Sequence, residues 1–398
     1  IEVAARIRTC LRDVDTAARF GGDEFAILLE EAGDAEGAIL IAERLQASVS
    51  RPYTLDGEEV AISVSIGVAV GVPEYEDAID ILRDADAAMY WAKSREKGTH
   101  AIFHPTMRER ALLRLRTQGE LRQALDAGEL EAHFQPIVDL DDGRSASCEA
   151  LIRWRHPGRG LVQPAEFLQI AEECGLSVPI GRWMLEQACG QLQVWRSTVA
   201  GAEDLRVSVN ISNRQFWRQP LLAEVADALR RHRIPPGRLV LEITEGVVMH
   251  DAELARAKLA DLHDLGVELH IDDFGTGYSS LDALHNLPID ALKIDRSFVA
   301  GIDGAATSRE LVRTIVLMAA NLGLDVIAEG IETRAQCDYL RELRCRYGQG
   351  FLFSRPVPAG DRGCLVEGSP WADAVSPPRV ALPVPPEVPR ASRRSVPS

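Results

Sequence analysis

Seven of the eight short apolar runs in the second part of this chain end in a group able to bind a metal or hold a proton. These are Glu149, Asn210, Glu242, Asp272 with Asp273, Lys293, Glu329 and Gln349. An oxygen-rich set with one amide suits hard divalent cations, Mg2+ or Mn2+. Carboxylates gathered in one place repel each other and shift their ionisation unless cations neutralise them. The adjacent Asp272 and Asp273 suit two ions a few ångströms apart, the first carboxylate bridging both and the second completing one. Two-metal sites of this kind serve phosphodiester hydrolysis, because they prepare hydroxide and stabilise the attacking and leaving oxygens. Lys293 would hold or polarise the water, or neutralise phosphate charge. His270 and the other histidines fall at no ligand spacing and read as surface or core groups. Behind the aspartates, Phe274–Ser280 (FGTGYSS) reads as a mobile lid, or as a segment coupling metal binding to assembly. A single polar strand end means only that the chain is reaching solvent; seven of eight point to a site.

Residues so far apart in sequence meet only if a fold brings the strand ends together. The runs HFQPIVDL, SCEALIRW, RVSVNIS, RLVLEIT, VELHIDD, DALKID, LDVIAEG and YGQGFLF alternate with helical stretches from Glu131 to about Gly368. That alternation predicts a parallel (β/α)8 barrel, whose strands deliver their carboxyl ends to one face. Before it, Ile1–Phe103 reads as a smaller α/β segment. It has a helix carrying Val3, Ile7 and Leu11, a turn at Gly21-Gly22 and a strand Glu24–Leu29. A helix capped by Asp34 follows to Val49, then an alternating strand (Val60, Ile62, Val64, Ile66) and a helix Asp77–Lys93. The expected division is 1–104, a connecting helix 105–118, the barrel 119–368 and a Pro-rich tail 369–398. That tail has no apolar period and is expected to be disordered.

Composition narrows the function classes. The 398 residues are 46% hydrophobic and 26% charged, an ordinary globular mixture. With 44 Lys and Arg against 60 Asp and Glu, the net charge of −16 argues against DNA or anionic lipid as partner. Metal-holding carboxylates still let an acidic chain take a phosphorylated substrate. Seven scattered cysteines (Cys10, Cys148, Cys174, Cys189, Cys337, Cys345, Cys364) form no CxxC pair and read as reduced thiols of a cytoplasmic protein. No apolar run approaches the ~18 residues of a membrane span, and no signal peptide opens the chain. Ile1 lies within a helical pattern, as in the continuation of a longer chain, whose earlier part could anchor it to a membrane.

The segments CEALIRWRHP, LEITE, DDFGTGYSSL, LKIDRSFV, AEGIE and YGQGFLFSRP, ordered across Gly119–Glu367, resemble the EAL-domain cyclic di-GMP phosphodiesterases. The resemblance implies a TIM-like barrel that hydrolyses cyclic di-GMP to linear pGpG with two Mg2+ or Mn2+ ions. It implies Glu149, Asn210, Glu242 and Asp272 as ligands of one ion, and Asp272, Asp273 and, through water, Glu329 as those of the other. Lys293 matches a lysine assisting the nucleophilic water, with Glu329 and Glu332 in the catalytic group. Gln135, Leu151, Arg153 and Gln349 match substrate positions, with Asp295 beside them, and Glu245 matches a glutamate that steadies the lid loop. No ligand position is lost. A homodimer through the barrel is also implied.

Arg19-Phe-Gly-Gly-Asp-Glu-Phe25, with VSIGVA and ADAAMYWAK downstream, resembles the GGDEF-domain diguanylate cyclases. There Gly21 and Gly22 would admit nucleotide phosphates, and Asp23 and Glu24 would serve metal binding and catalysis. Arg12 and Asp15 match an inhibitory RxxD site, otherwise an ordinary surface ion pair, and Lys93 matches a phosphate-contacting lysine. Where many cyclases read Gly-Arg-Asn, this chain reads Glu96-Lys97-Gly98. Only twenty residues precede Gly21, so a partial domain without cyclase activity is expected. Three readings stand: a phosphodiesterase, a receptor that binds cyclic di-GMP without turnover, and a bifunctional enzyme in longer form.

Overall fold

The computed structural model describes residues 1–30, 35–55, 57–71, 75, 77–95, 97–218, 220–277, 284–304, 306–361 and 370–375. It divides into two units, Ile1–Glu120 and Leu121–Ser398, and the division falls within helix Pro105–Ala127. Among the described residues no helix is long and apolar enough to cross a membrane. Cys10, Cys148, Cys174, Cys189, Cys337 and Cys345 are free thiols.

Among its described residues the first unit holds three strand pairs. β1 (Thr16–Gly21) and β2 (Glu24–Leu28) form a hairpin, as do β3 (Tyr53–Leu55) and β4 (Glu58–Val60). β5 (Ile66–Val68) runs parallel to β6 (His100–Ile102). Helices Glu2–Thr9 and Ala35–Val49 pack Ile7, Cys10, Leu45 and Val49 into one core. The expected strand from Val60 to Ile66 divides: Val60 closes β4 and Ile66 opens β5, because the two pair in different sheets. Asp34, the expected cap, lies outside the described residues.

The second unit is the expected barrel with one correction. Its strands are β7 (Leu130–Asp139), β8 (Ser145–His156), β9 (Gly160–Val162), β10 (Arg206–Asn210), β11 (Leu239–Thr244) and β12 (Glu268–Phe274). They continue as β13 (Ala291–Ile294), β14 (Asp325–Ala328), β15 (Tyr347–Gly348) and β16 (Val357–Pro358). The ring closes in the order β7-β8-β10-β11-β12-β13-β14-β15-β7, with β9 and β16 flanking. From β8 to β15 all neighbours are parallel, but β7 runs antiparallel to both β8 and β15. The cause is connection length. Only Leu140–Arg144 separate β7 from β8, with Asp142-Gly143 in the turn, whereas a parallel neighbour needs a crossover of a dozen residues or more.

Strand periodicity then sorts the side chains. Leu241, Ile243, Leu269, Ile271, Leu292 and Ile294 join the main core that the surrounding helices cover. The residues between them, Glu242, His270 and Lys293, take the opposite face and enter the barrel. β7 follows the same rule: Phe134 meets Trp195 of helix Ser177–Thr198 edge-to-face at 4.7 Å, while Gln135 takes the other face. A small apolar floor of Ile137, Ala291, Ile327 and Tyr347 closes the barrel one layer below the polar residues. The expectation of disorder from 369 onward fails for 370–375, where Trp371 and Val375 are buried. Residues 376–398 lie outside the described set.

Phe134 ties the antiparallel strand of the ring, β7, to its covering helix. Phe134→Ala is expected to destabilise the barrel by about 3–5 kcal/mol. Urea unfolding followed by tryptophan fluorescence checks it; an unchanged midpoint would contradict the packing.

Candidate active site

Lys293 is fully buried among four carboxylates. Its Nζ lies 2.6 Å from Glu329 Oε1 and 2.8 Å from Glu242 Oε2. Glu149 Oε2 and Asp272 Oδ1 are each 3.5 Å away. These groups come from β8, β11, β12, β13 and the end of β14, so the barrel brings together positions spread from 149 to 329. Amides flank Glu149 from both sides: Asn210 Nδ2 donates to Glu149 Oε1 at 2.7 Å and Gln349 Nε2 to Glu149 Oε2 at 2.8 Å. Gln349 Nε2 also donates to Gln135 Oε1 at 3.0 Å, and Gln135 Nε2 donates to the Ser354 carbonyl at 2.9 Å.

Adjacent strand residues ordinarily face opposite sides of a sheet, yet both aspartates serve this cluster. Asp273 resolves the conflict with φ +53°, a left-handed conformation that Asp tolerates better than most residues. The β12–β13 register is irregular between Ile271 and Phe274, and the Asp273 N–H donates to Asp272 Oδ1 at 2.9 Å. Ligand oxygens of Asp272, Asp273 and Glu329 thereby come within 4.8 Å of one another. Glu245, buried at the start of the helix after β11, accepts the Gly275 N–H at 2.8 Å. A Cβ on Gly277 would sit 2.8 Å from Glu245 Oε1, so a side chain there would press on the carboxylate that holds Gly275.

Burial and mutual repulsion raise Glu242, Asp273 and Glu329, while cations and donors outweigh them at Glu149. Burial, then Glu149 and Asp272, pushes Glu242 well above the usual range. Burial, then Asp272 and Glu149, pushes Glu329 to about 7 against the pull of Lys293. Burial and Asp272 raise Asp273. Burial alone would raise Glu149, but Lys293 and the two amides outweigh it and leave it lowered. Burial opposes the Lys293 charge, and its four carboxylate neighbours raise it well above normal nonetheless. One ammonium therefore faces a surplus of negative charge, and the buried Glu242 Oε1 has no hydrogen-bond partner among the described residues. An unpaired carboxyl oxygen beside a carboxylate triad fits a divalent cation, which would bind and favour the ionised form.

The other expected site residues fall at different distances from this cluster. Arg153, on β8, is buried, donates to the Ile152 carbonyl at 2.7 Å, and burial lowers its guanidinium. Leu151 is half-buried opposite His133. Asp295 caps helix Arg296–Ala300, accepting the Ser297 N–H at 3.0 Å, and its charge acts on Asp273. Glu332 is exposed, and among the described residues no side-chain bond joins it to the cluster. His270 is a core group inside the barrel, its Nε2 3.8 Å from Glu268.

In the first unit Gly21, Gly22, Asp23 and Glu24 form the exposed β1–β2 turn, with the Gly22 carbonyl accepting Arg19 Nε at 2.9 Å. Asp15 binds the Arg12 backbone N–H at 2.9 Å rather than its guanidinium. Lys93 lies exposed on helix Ala78–Arg95.

Two positioning residues escaped the sequence reading. Gln336 Oε1 accepts the N–H groups of Glu332 and Thr333 at 2.8 and 3.0 Å, a capping box legible in Thr-Arg-Ala-Gln. Gly350 packs on Ile331 so closely that a Cβ would lie 2.1 Å from its carbonyl oxygen.

A closed eight-stranded α/β barrel with a lysine-centred carboxylate cluster at its strand ends defines the class: a TIM-like barrel with a candidate metal centre. Within that class the chain belongs to the EAL domain family, which matches residues 118–356. The diguanylate cyclase GGDEF domain family matches residues 1–99. The chain is 43% identical over 359 residues to "Bifunctional diguanylate cyclase/cyclic di-GMP phosphodiesterase MucR" of Pseudomonas aeruginosa, covering 90% of this chain and 52% of that protein. It is 38% identical over 358 residues to "Cyclic di-GMP phosphodiesterase PdeR" of Escherichia coli, covering 90% and 53%. The chain thus spans about half the length of these relatives. The solved "PaMucR Phosphodiesterase, c-di-GMP complex" shares 42% identity at a TM-score of 0.60, covering 62% of this chain and 98% of that one.

The raised Glu329 carboxyl has a consequence for stability. Its folded form keeps a proton up to about pH 7, while the unfolded form loses it near 4.5. Stability from this group is therefore present below pH 4.5 and lost as pH rises towards 7, on the order of 3 kcal/mol. In chelator, the parent is expected to lose more stability than Glu329→Gln between pH 5 and pH 7.5. Parallel melting curves for the two across that range would contradict the assignment.

Proposed function

We propose that the barrel hydrolyses cyclic di-GMP to linear pGpG. The observation that carries this reading is the surplus of buried carboxylate around Lys293, with Glu242 Oε1 unpaired among the described residues and the Asp272–Asp273–Glu329 triad beside it. The names of MucR and PdeR and the cyclic di-GMP in the MucR complex support the choice of substrate.

Glu149, Asn210, Glu242 and Asp272 would hold one Mg2+ or Mn2+ ion, and Asp272, Asp273 and Glu329 a second. Bound there, the ions would supply the Lewis acidity that activates water and offsets charge on the attacked phosphate and departing 3′-oxygen. Lys293, held protonated by its neighbours, donates hydrogen bonds to the attacking water or to a phosphoryl oxygen. Arg153 offers a guanidinium for a non-bridging phosphate oxygen, a bidentate fit that lysine lacks. Gln135 and Gln349 present amides beside Glu149 and orient the nucleotide, with Leu151 and Asp295 at the edge of the same site and Glu332 in the catalytic group. Water enters, one P–O bond forms, the P–O3′ bond breaks, and the 3′-oxygen takes a proton.

The same reading assigns 1–104 to a partial GGDEF domain, 105–118 to a connecting helix, 119–368 to the catalytic domain and 369–398 to the tail. In the first of these, Asp23 and Glu24 are assigned to metal and Arg12 with Asp15 to an inhibitory site. A homodimer through the barrel and a cytoplasmic location complete it.

Purified protein given cyclic di-GMP with Mg2+ or Mn2+ is expected to yield pGpG, and Lys293→Ala or Glu149→Ala to lower kcat roughly 100-fold or more. Binding without product under both metals would make the barrel a receptor. Glu245→Ala removes no ligand but frees the Gly275 N–H, so its activity is expected to need several-fold more Mg2+. An activation curve superimposable on the parent's would remove that role from Glu245.

A further inference from the structure

Trp371 lies beyond the stretch matched by the EAL family, yet it is anchored against the turn that follows Gln349. Its indole Nε1 donates to the Phe353 carbonyl at 2.9 Å, and its ring meets Phe353 edge-to-face with centroids 6.3 Å apart. The next carbonyl, Ser354, is the one that accepts Gln135 Nε2 at 2.9 Å. Two consecutive peptide oxygens are thus gripped, one by Trp371 and the other by an amide of the site. From Gln135 the hydrogen bonds continue through Gln349 to Glu149.

Trp371 is itself held from several sides. Its N–H donates to the Gly143 carbonyl at 3.4 Å, and a Cβ on Gly143 would lie 2.7 Å from the Trp371 carbonyl carbon. Arg334 NH1 donates to the Asp373 carbonyl at 2.6 Å, and Val375 is buried in the main core. The turn it grips is also held by backbone bonds, with Phe353 and Ser354 donating to Gly350 and Leu352 donating to Ile331, and by Leu352 and Phe353 packing against the main core. Phe351 within it is exposed.

We infer that Trp371 is a positioning residue for substrate binding: it fixes the Gly350–Ser354 turn and, through the Ser354 carbonyl, sets the Gln135–Gln349 amide pair. The inference rests on the cyclic di-GMP reading. Hydrogen bonds weaken steeply with distance and angle, so a turn released on one side leaves Gln135 with a poorly placed acceptor. The site would lose orientation of its amides but none of its carboxylates or Lys293. The effect therefore belongs in KM rather than in kcat.

Trp371→Phe keeps an aromatic ring against Phe353 and removes the N–H donor. It is expected to raise KM for cyclic di-GMP about two- to tenfold, the range of one neutral hydrogen bond, with kcat within twofold of the parent. Trp371→Ala is expected to raise KM further and lower the melting temperature as well. In a Gln135→Ala background, Trp371→Phe is expected to leave KM unmoved, because the amide it acts through is gone. A parent-like KM in Trp371→Phe overturns the inference, as does an equal KM increase with and without Gln135. A parent that binds no cyclic di-GMP and makes no pGpG overturns the functional reading, and this inference with it.

Discussion

A lysine ammonium with no exposure to water, set among Glu149, Glu242, Asp272 and Glu329, is the interaction on which the rest of the site depends. Taking any one of these charges out of water is costly, and the cost is offset only when opposite charges and donors surround it. Lys293 supplies that compensation for four acids at once and is left with too little charge to satisfy them all. The Asn210 and Gln349 amides settle Glu149, but Glu242 Oε1 has no hydrogen-bond partner among the described residues and Glu329 is pushed to about 7. The arrangement is stable enough to fold and still short of positive charge. A divalent cation relieves the shortage that the fold builds in.

The barrel makes this concentration of charge possible by dividing the labour within each strand. In Leu-Glu-Ile, Leu-His-Ile-Asp and Leu-Lys-Ile, the aliphatic residues anchor strands to helices and the polar residues between them point inward. Antiparallel β7 enters the ring through the Leu140–Arg144 turn and presents Gln135 beside Glu149, with which it pairs in register. Asp273 breaks the two-residue rhythm at one place only, by adopting a left-handed backbone, and so lets consecutive aspartates serve one cluster. The anchoring of Trp371 then extends the same support to the turn after Gln349.

Much of this was legible in the residues. Seven of the eight runs became barrel strands over most of their length, whereas YGQGFLF supplies only Tyr347–Gly348 to the ring and then turns, and the polar strand ends converge because barrel geometry brings them to one face. What escaped the sequence depended on geometry rather than residue type. The direction of β7 followed from a connection too short for a helix, a signal present in Asp142-Gly143 but outweighed by the alternation elsewhere. The rotation of Asp273 needs a positive φ that no neighbouring residue announces. The burial of Trp371 was hidden by the proline-rich surroundings, since one aromatic residue carries no period, and only tertiary contact reveals it. For Glu332 the sequence pattern names a site position while the structure leaves the side chain exposed, with Gln336 fixing its backbone.

The most direct measurement of the central claim is the stability of Lys293→Met with and without Mn2+. Methionine keeps the bulk and removes the charge. In chelator the variant is expected to be less stable than the parent by about 3–5 kcal/mol, because the buried carboxylates lose the cation they share. Mn2+ is expected to restore more stability to the variant than it adds to the parent. Equal stability of the two proteins in chelator, or an equal response to Mn2+, would contradict the account.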